Sequence, residues 1–114
     1  MPIPSEITVL IERLNQELDQ TSQEATEALN IVRSRLMGFP NNARLIEFFA
    51  ALSNIRLFVD NSRGRIQTIV ENLSQTEITT VDQIQEVGED LATLLGTTLE
   101  AKMIVIGIKT RLPH

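Results

Sequence analysis

The sequence predicts an all-α chain, an antiparallel up-down-up bundle of three long helices, and three observations carry that prediction. In each long segment the apolar residues recur in steps of three and four, which is the helical and not the strand period. Turn signals at Gly38 to Pro40 and just ahead of Thr80 divide the chain into three runs of roughly 30 residues, each about 45 Å long at the helical rise. The one strand-like stretch, Met103-Ile104-Val105-Ile106-Gly107-Ile108, has no partner strand elsewhere in the chain.

The first run carries Ile7, Ile11, Leu14, Leu18, Thr21, Ala25, Ala28 and Val32 on one face and predicts a helix from about Glu6 to Met37. Pro4 and Ser5 supply its entry, with the serine hydroxyl free to accept from an orphan N–H of the first turn. Gly38 supplies a left-handed stop, and Pro40 cannot continue the helix.

The second run opens after Asn41 and Asn42, both good N-caps. It places Leu45, Phe48, Leu52, Ile55, Val59, Ser62, Ile66, Ile69 and Leu73 in register. Gly64 lies inside this run and costs about 1 kcal/mol relative to alanine, so a four-helix variant broken near Gly64 is the alternative. Val59 and Ile66 stay seven apart across the glycine, which favours one continuous helix.

Thr80 and Gln83 have capping-box spacing and start the third helix, which runs to about Arg111 before Pro113. It carries two neighbouring apolar stripes. Ile84, Gly88, Leu91, Leu95, Leu99, Met103 and Ile106 form one; Val87, Leu94, Ala101, Val105 and Ile108 form the other. No internal repeat, low-complexity tract or Gly/Ser linker interrupts the 114 residues, so residues 1–114 are expected to form a single domain.

Composition narrows the chemistry. The chain contains no cysteine and one histidine, His114, which excludes thiolate chemistry, a histidine-based triad and a multi-histidine metal site. Glu86, Glu89 and Asp90 have carboxylate-site spacing but lack the Glu-x-x-His pairs of a helical di-metal centre. No catalytic, cofactor-binding or metal-binding residue is therefore assigned, and the chain is expected not to be an enzyme.

Ten Lys and Arg against fifteen Asp and Glu leave a net charge of -5, which disfavours generic binding to nucleic acid or to anionic membranes. The amino-terminal residues have no signal-peptide character, and the longest apolar run is far shorter than the roughly 20 residues of a membrane span, so a cytoplasmic protein is expected.

Folding the charges onto the bundle makes it a dipole. Residues 29–50 and 100–114 carry Arg33, Arg35, Arg44, Lys102, Lys109 and Arg111 against Glu47 and Glu100, a net of +4. Residues 1–20 and 70–92 carry ten acids against Arg13 alone, a net of -9. Acids near helix N-termini and bases near C-termini are also what the helix macrodipole favours. The basic end nonetheless offers Arg33, Arg35, Arg44, Lys109 and Arg111 as candidates for binding an anionic partner. Arg56, Arg63 and Arg65 around Gly64 lack the further glycines or Lys-Ser/Thr of a phosphate loop and are expected to pair with Asp60 and nearby acids.

Two stripes on the third helix exceed what a thin bundle covers, and the surplus apolar surface predicts self-association. Gly88, Ala92 and Gly96 lie four apart and allow close backbone approach, while Leu94, Ile104 and Ile108 are expected to complete the contact surface. The sequence thus points to a non-enzymatic binding or structural module that homo-oligomerises, with a dimer or a partner's helix as the cover. A regulatory or nucleic-acid-associated factor working through the basic end is the alternative.

Overall fold

A computed structural model describes residues 3–75 and 80–112 and consists of three α-helices, α1 (Ser5–Gly38), α2 (Ala43–Gln75) and α3 (Val81–Arg111), with no strand among the described residues. They run up, down and up in a rod of 58 × 19 × 17 Å. α1 packs along both neighbours, whereas α2 and α3 meet each other far less.

The helix ends follow partly expected chemistry. Asn42 caps α2, its Oδ1 accepting from the Leu45 N–H at 3.0 Å. Thr80 and Gln83 form both bonds of the capping box, at 3.1 and 3.0 Å. The expected stop at Pro113 lies outside the described residues. Two details differ from the expectation. Ser5 is already helical and makes no cap; Pro4 holds the N-cap position and its carbonyl accepts from the Ile7 and Thr8 amides. Gly38 is the last residue of α1 and does not turn left-handed, since no glycine has a positive φ. The stop comes one residue later: Phe39 precedes Pro40, which disfavours helical backbone before it, and Phe39 leaves the helical region at φ -136°, ψ 65° while its N–H donates to the Arg35 carbonyl.

α2 is unbroken through Gly64, so the four-helix variant does not occur. Val59 and Ile66, on either side of the glycine, are both buried. Burying each contributes roughly 1.5–3 kcal/mol, more than the about 1 kcal/mol that glycine costs in a helix. The register therefore carries the helix across its weakest residue.

The core has two apolar halves. One gathers Ala25, Ala28, Leu29, Val32, Leu52, Ile55, Ala101, Val105, Ile108 and Leu112 at the end holding the α1–α2 turn. The other gathers Ile7, Leu14, Leu18, Val59, Ile66, Leu73, Leu91 and Leu94. Toward the middle of the rod each helix contributes one buried hydroxyl residue: Thr21 and Thr98 between the two halves, and Ser62 inside the second, between Val59 and Ile66. All three donate to the carbonyl four residues back in their own helix, to Glu17 and Phe58 at 2.7 Å and to Leu94 at 2.8 Å. This waist is thus internally satisfied and links no helix to another.

Two stability measurements test this description. Nothing lies within 4 Å of where a Gly64 Cβ would stand, so Gly64→Ala is expected to stabilise the chain by about 1 kcal/mol in chemical denaturation. Because the waist hydroxyls serve only their own backbone, Thr98→Val is expected to change stability by less than about 1 kcal/mol, against about 2–5 kcal/mol lost for Leu52→Ala in the fully buried core.

Candidate functional site

Two repeating polar contacts join α3 to α1 beside the buried stripe. Lys102 Nζ donates to Glu17 Oε2 at 3.0 Å and Gln20 Oε1 at 2.6 Å. One heptad further on, Lys109 Nζ donates to Glu24 Oε2 and Glu27 Oε2, both at 2.8 Å. Both lysines are largely covered, and each spans two polar residues three apart on α1. Hydrogen bonding to Lys109, reinforced by its charge, holds the Glu27 carboxyl below its ordinary 4.5. Hydrogen bonds to Glu24 and then Glu27 hold the Lys109 ammonium above its ordinary 10.5.

One of the two α3 stripes enters the core. Leu91, Leu94, Thr98, Ala101, Val105 and Ile108 are buried. Of the other stripe only Leu91 is fully covered, while Met103 is 73% and Ile106 45% exposed. The expected self-association set is corrected accordingly. Leu94 and Ile108, at 8% and 5% exposure, belong to the core of the single chain and are withdrawn from the contact surface. Gly88 is taken up within the chain as well: its missing Cβ would lie 3.6 Å from Ile7 Cδ1. Ala92 and Gly96 remain on the surface. Ile104, 53% exposed, lies about 140° around the helix from Leu99 and so on another face.

Beside the core stripe α3 carries a second, uncharged row: Ala92, Met103, Ile106 and Thr110 are exposed, Leu99 and Leu95 are half-buried with Leu95 against the core, and Gly88 lies at its end beside Ile7. α3 has the length and apolar composition of a membrane-crossing helix, with only 33% of its most apolar window buried inside the bundle. Leu95, Leu99, Met103 and Ile106 had been legible as a stripe, but nothing in their spacing marks it as outward. The matched heptad of Glu17 and Glu24 on α1 with Lys102 and Lys109 on α3 agrees with that placement.

At the basic end, the last turn of α1, the first turn of α2 and the last turn of α3 meet around a cleft of about 270 Å³. Arg35, Arg44 and Arg111 line it, one from each helix, together with Phe39, Asn42, Leu45, Phe48 and Leu112. Arg44 also lies over the Phe48 ring, 5.8 Å from its centroid. The other two basic-end candidates sit elsewhere. Arg33 stacks over Phe49 at 5.7 Å, and Lys109 is bound by Glu24 and Glu27. Two of the three arginines near Gly64 pair with acids as expected, Arg63 with Asp19 at 2.7 Å and Asp60 at 3.9 Å and Arg65 with Asp90 at 3.9 Å, whereas among the described residues Arg56 does not join them.

No protein-family model, curated protein or solved structure matches this chain.

The Lys109 contacts make stability depend on pH at both extremes. Glu27 has a depressed folded value, so its contribution is present above pH 4.5 and is lost as pH falls through that lower value. Lys109 has a raised folded value, so its contribution is present below pH 10.5 and is lost as pH rises through it. Thermal melts of Lys109→Met across pH are expected to show a smaller fall at each extreme than melts of the unaltered chain.

Proposed function

We propose that this chain is a non-enzymatic helical module that works as a homodimer, joined through the outward face of α3 in antiparallel orientation. The observation that carries the reading is the order of residues on that face. Gly88, Ala92, Leu95, Leu99, Met103, Ile106 and Thr110 are spaced symmetrically about Leu99. A two-fold axis at Leu99 therefore sets Met103 against the partner's Leu95, Ile106 against the partner's Ala92 and Thr110 against the partner's Gly88. Leu99, Leu95 and Met103 form an apolar centre, and toward each end a larger side chain meets a smaller one, Ile106 against Ala92 and Thr110 against Gly88, so the row is self-complementary.

Charge supports the antiparallel choice. Side by side and antiparallel, the end with a net of -9 lies along the partner's end with a net of +4; parallel pairing would bring like ends together. Glu86, Glu89 and Asp90 near the start of one α3 then stand level with Lys109 and Arg111 at the end of the other. The contact extends over about 33 Å of helix, which places it among smaller interfaces and gives an affinity of about micromolar order.

The basic-end alternative, a factor bound to nucleic acid, has less in its favour. Arg35, Arg44 and Arg111 converge on one small apolar-floored cleft and are not strung out along a surface, and the net charge of -5 opposes a polyanion.

Sedimentation equilibrium tests the reading. The unaltered chain is expected to be a monomer–dimer mixture at tens of micromolar, and Leu99→Glu with Met103→Glu is expected to be monomeric with an undiminished helical signal, since both side chains lie outside the buried set. A chain that stays monomeric up to about 0.5 mM overturns the reading, because an interface of this length is expected to be populated well below that concentration. Association with neutral lipid vesicles in place of self-association also overturns it and assigns the α3 face to a membrane surface.

A further inference from the structure

The cleft at the basic end combines features that the α3 face lacks. Three guanidinium groups stand around it, and no acidic residue is among the described residues lining it. Leu112 at its base is buried, and Leu45 and Phe48 are half-covered, so the interior below the cationic rim is apolar. Phe39, 64% exposed, forms an apolar wall that the bundle itself does not cover. Asn42 and Arg44 bring the first turn of α2 to the same place, adding the positive end of a helix dipole.

We propose that this cleft binds a small amphipathic anion, a carboxylate or phosphate monoester on a short alkyl chain. Arg44 and Arg111 hold the head and the hollow between Phe39, Leu45, Phe48 and Leu112 takes the chain. Arg35 already has an interaction of its own and contributes its charge to the rim. Complementing helix C-terminal carbonyls accounts for basic residues at the ends of α1 and α3. It does not account for Arg44, which lies in the first turn of α2, where a cation opposes the dipole. A volume of about 270 Å³ is below that of a drug-sized pocket and suits a chain of about eight carbons. A guanidinium fork matches either head group in bidentate geometry, so the two sources share one chemistry.

The test is titration of the full chain with sodium octanoate and with octyl phosphate, followed by heteronuclear NMR, with 1-octanol, octylammonium and acetate as controls. Saturable shifts confined to the amides around Arg44, Leu45, Arg111 and Leu112, with weaker binding of all three controls, support the proposal. The tighter of the two anions identifies the head group. Arg44→Gln with Arg111→Gln, whose helicity is checked by circular dichroism, is expected to weaken binding about tenfold or more, the loss typical of charge-assisted hydrogen bonds. Arg44→Lys with Arg111→Lys is expected to retain part of it. Equal binding of octanol, no saturable shift with either anion, or unchanged affinity in the Gln variant overturns the proposal. The monomeric Leu99→Glu, Met103→Glu variant is expected to bind octanoate normally, so loss of the dimer and loss of the cleft are separately visible.

Discussion

The bundle depends on one face of α1. Leu14, Leu18, Thr21, Ala25, Ala28 and Val32 on that face are all completely buried, and two other helices are laid against them. Small residues at Thr21, Ala25 and Ala28 leave room for both neighbours to approach, so α1 acts as the spine while α2 and α3 touch each other little. Burial of a leucine such as Leu14 or Leu18 contributes roughly 1.5–3 kcal/mol, whereas an exposed ion pair contributes at most about 1 kcal/mol. Apolar burial therefore supplies the strength. The paired contacts of Lys102 and Lys109 lie beside the buried stripe and agree with the angle at which α3 is rotated against the spine.

The buried hydroxyls put no cross-link into the core. Thr21, Ser62 and Thr98 are buried with no unsatisfied side-chain polar atom among the described residues, because each hydroxyl returns to its own helix. Leucines, isoleucines and valines fill most of the core around them.

Both candidate surfaces are consequences of this packing. Turning Leu94, Ala101, Val105 and Ile108 toward the spine necessarily turns Leu95, Leu99, Met103 and Ile106 away from it, because the two stripes are neighbours on one cylinder. The up-down-up path brings the end of α1, the start of α2 and the end of α3 to one place. It thereby gathers Arg35, Arg44 and Arg111, residues far apart in the chain, around a single cleft.

The helices themselves were legible in the residues. Periodicity, the Asn42 cap, the Thr80–Gln83 box and the unbroken register across Gly64 are local properties, and a helix satisfies its own backbone within four residues. The α1 face and most of the α2 face were legible for the same reason, since each of those helices has one dominant stripe. The Gly38 stop was misplaced by one residue because the restriction that Pro40 puts on Phe39 ended α1 without any left-handed glycine. α3 was different: it has two stripes of similar quality, and local spacing contains nothing that ranks them. The ranking emerges from packing against α1 and α2, and the contacts of Glu17 and Glu24 with Lys102 and Lys109, 85 residues further along the chain, agree with it. Sequence by itself thus determined three helices, the caps that start α2 and α3, and the order of the helices; only the tertiary structure decided which side of α3 is core and which three arginines share a cleft, because rotation and convergence depend on distant partners and not on the period of any one helix.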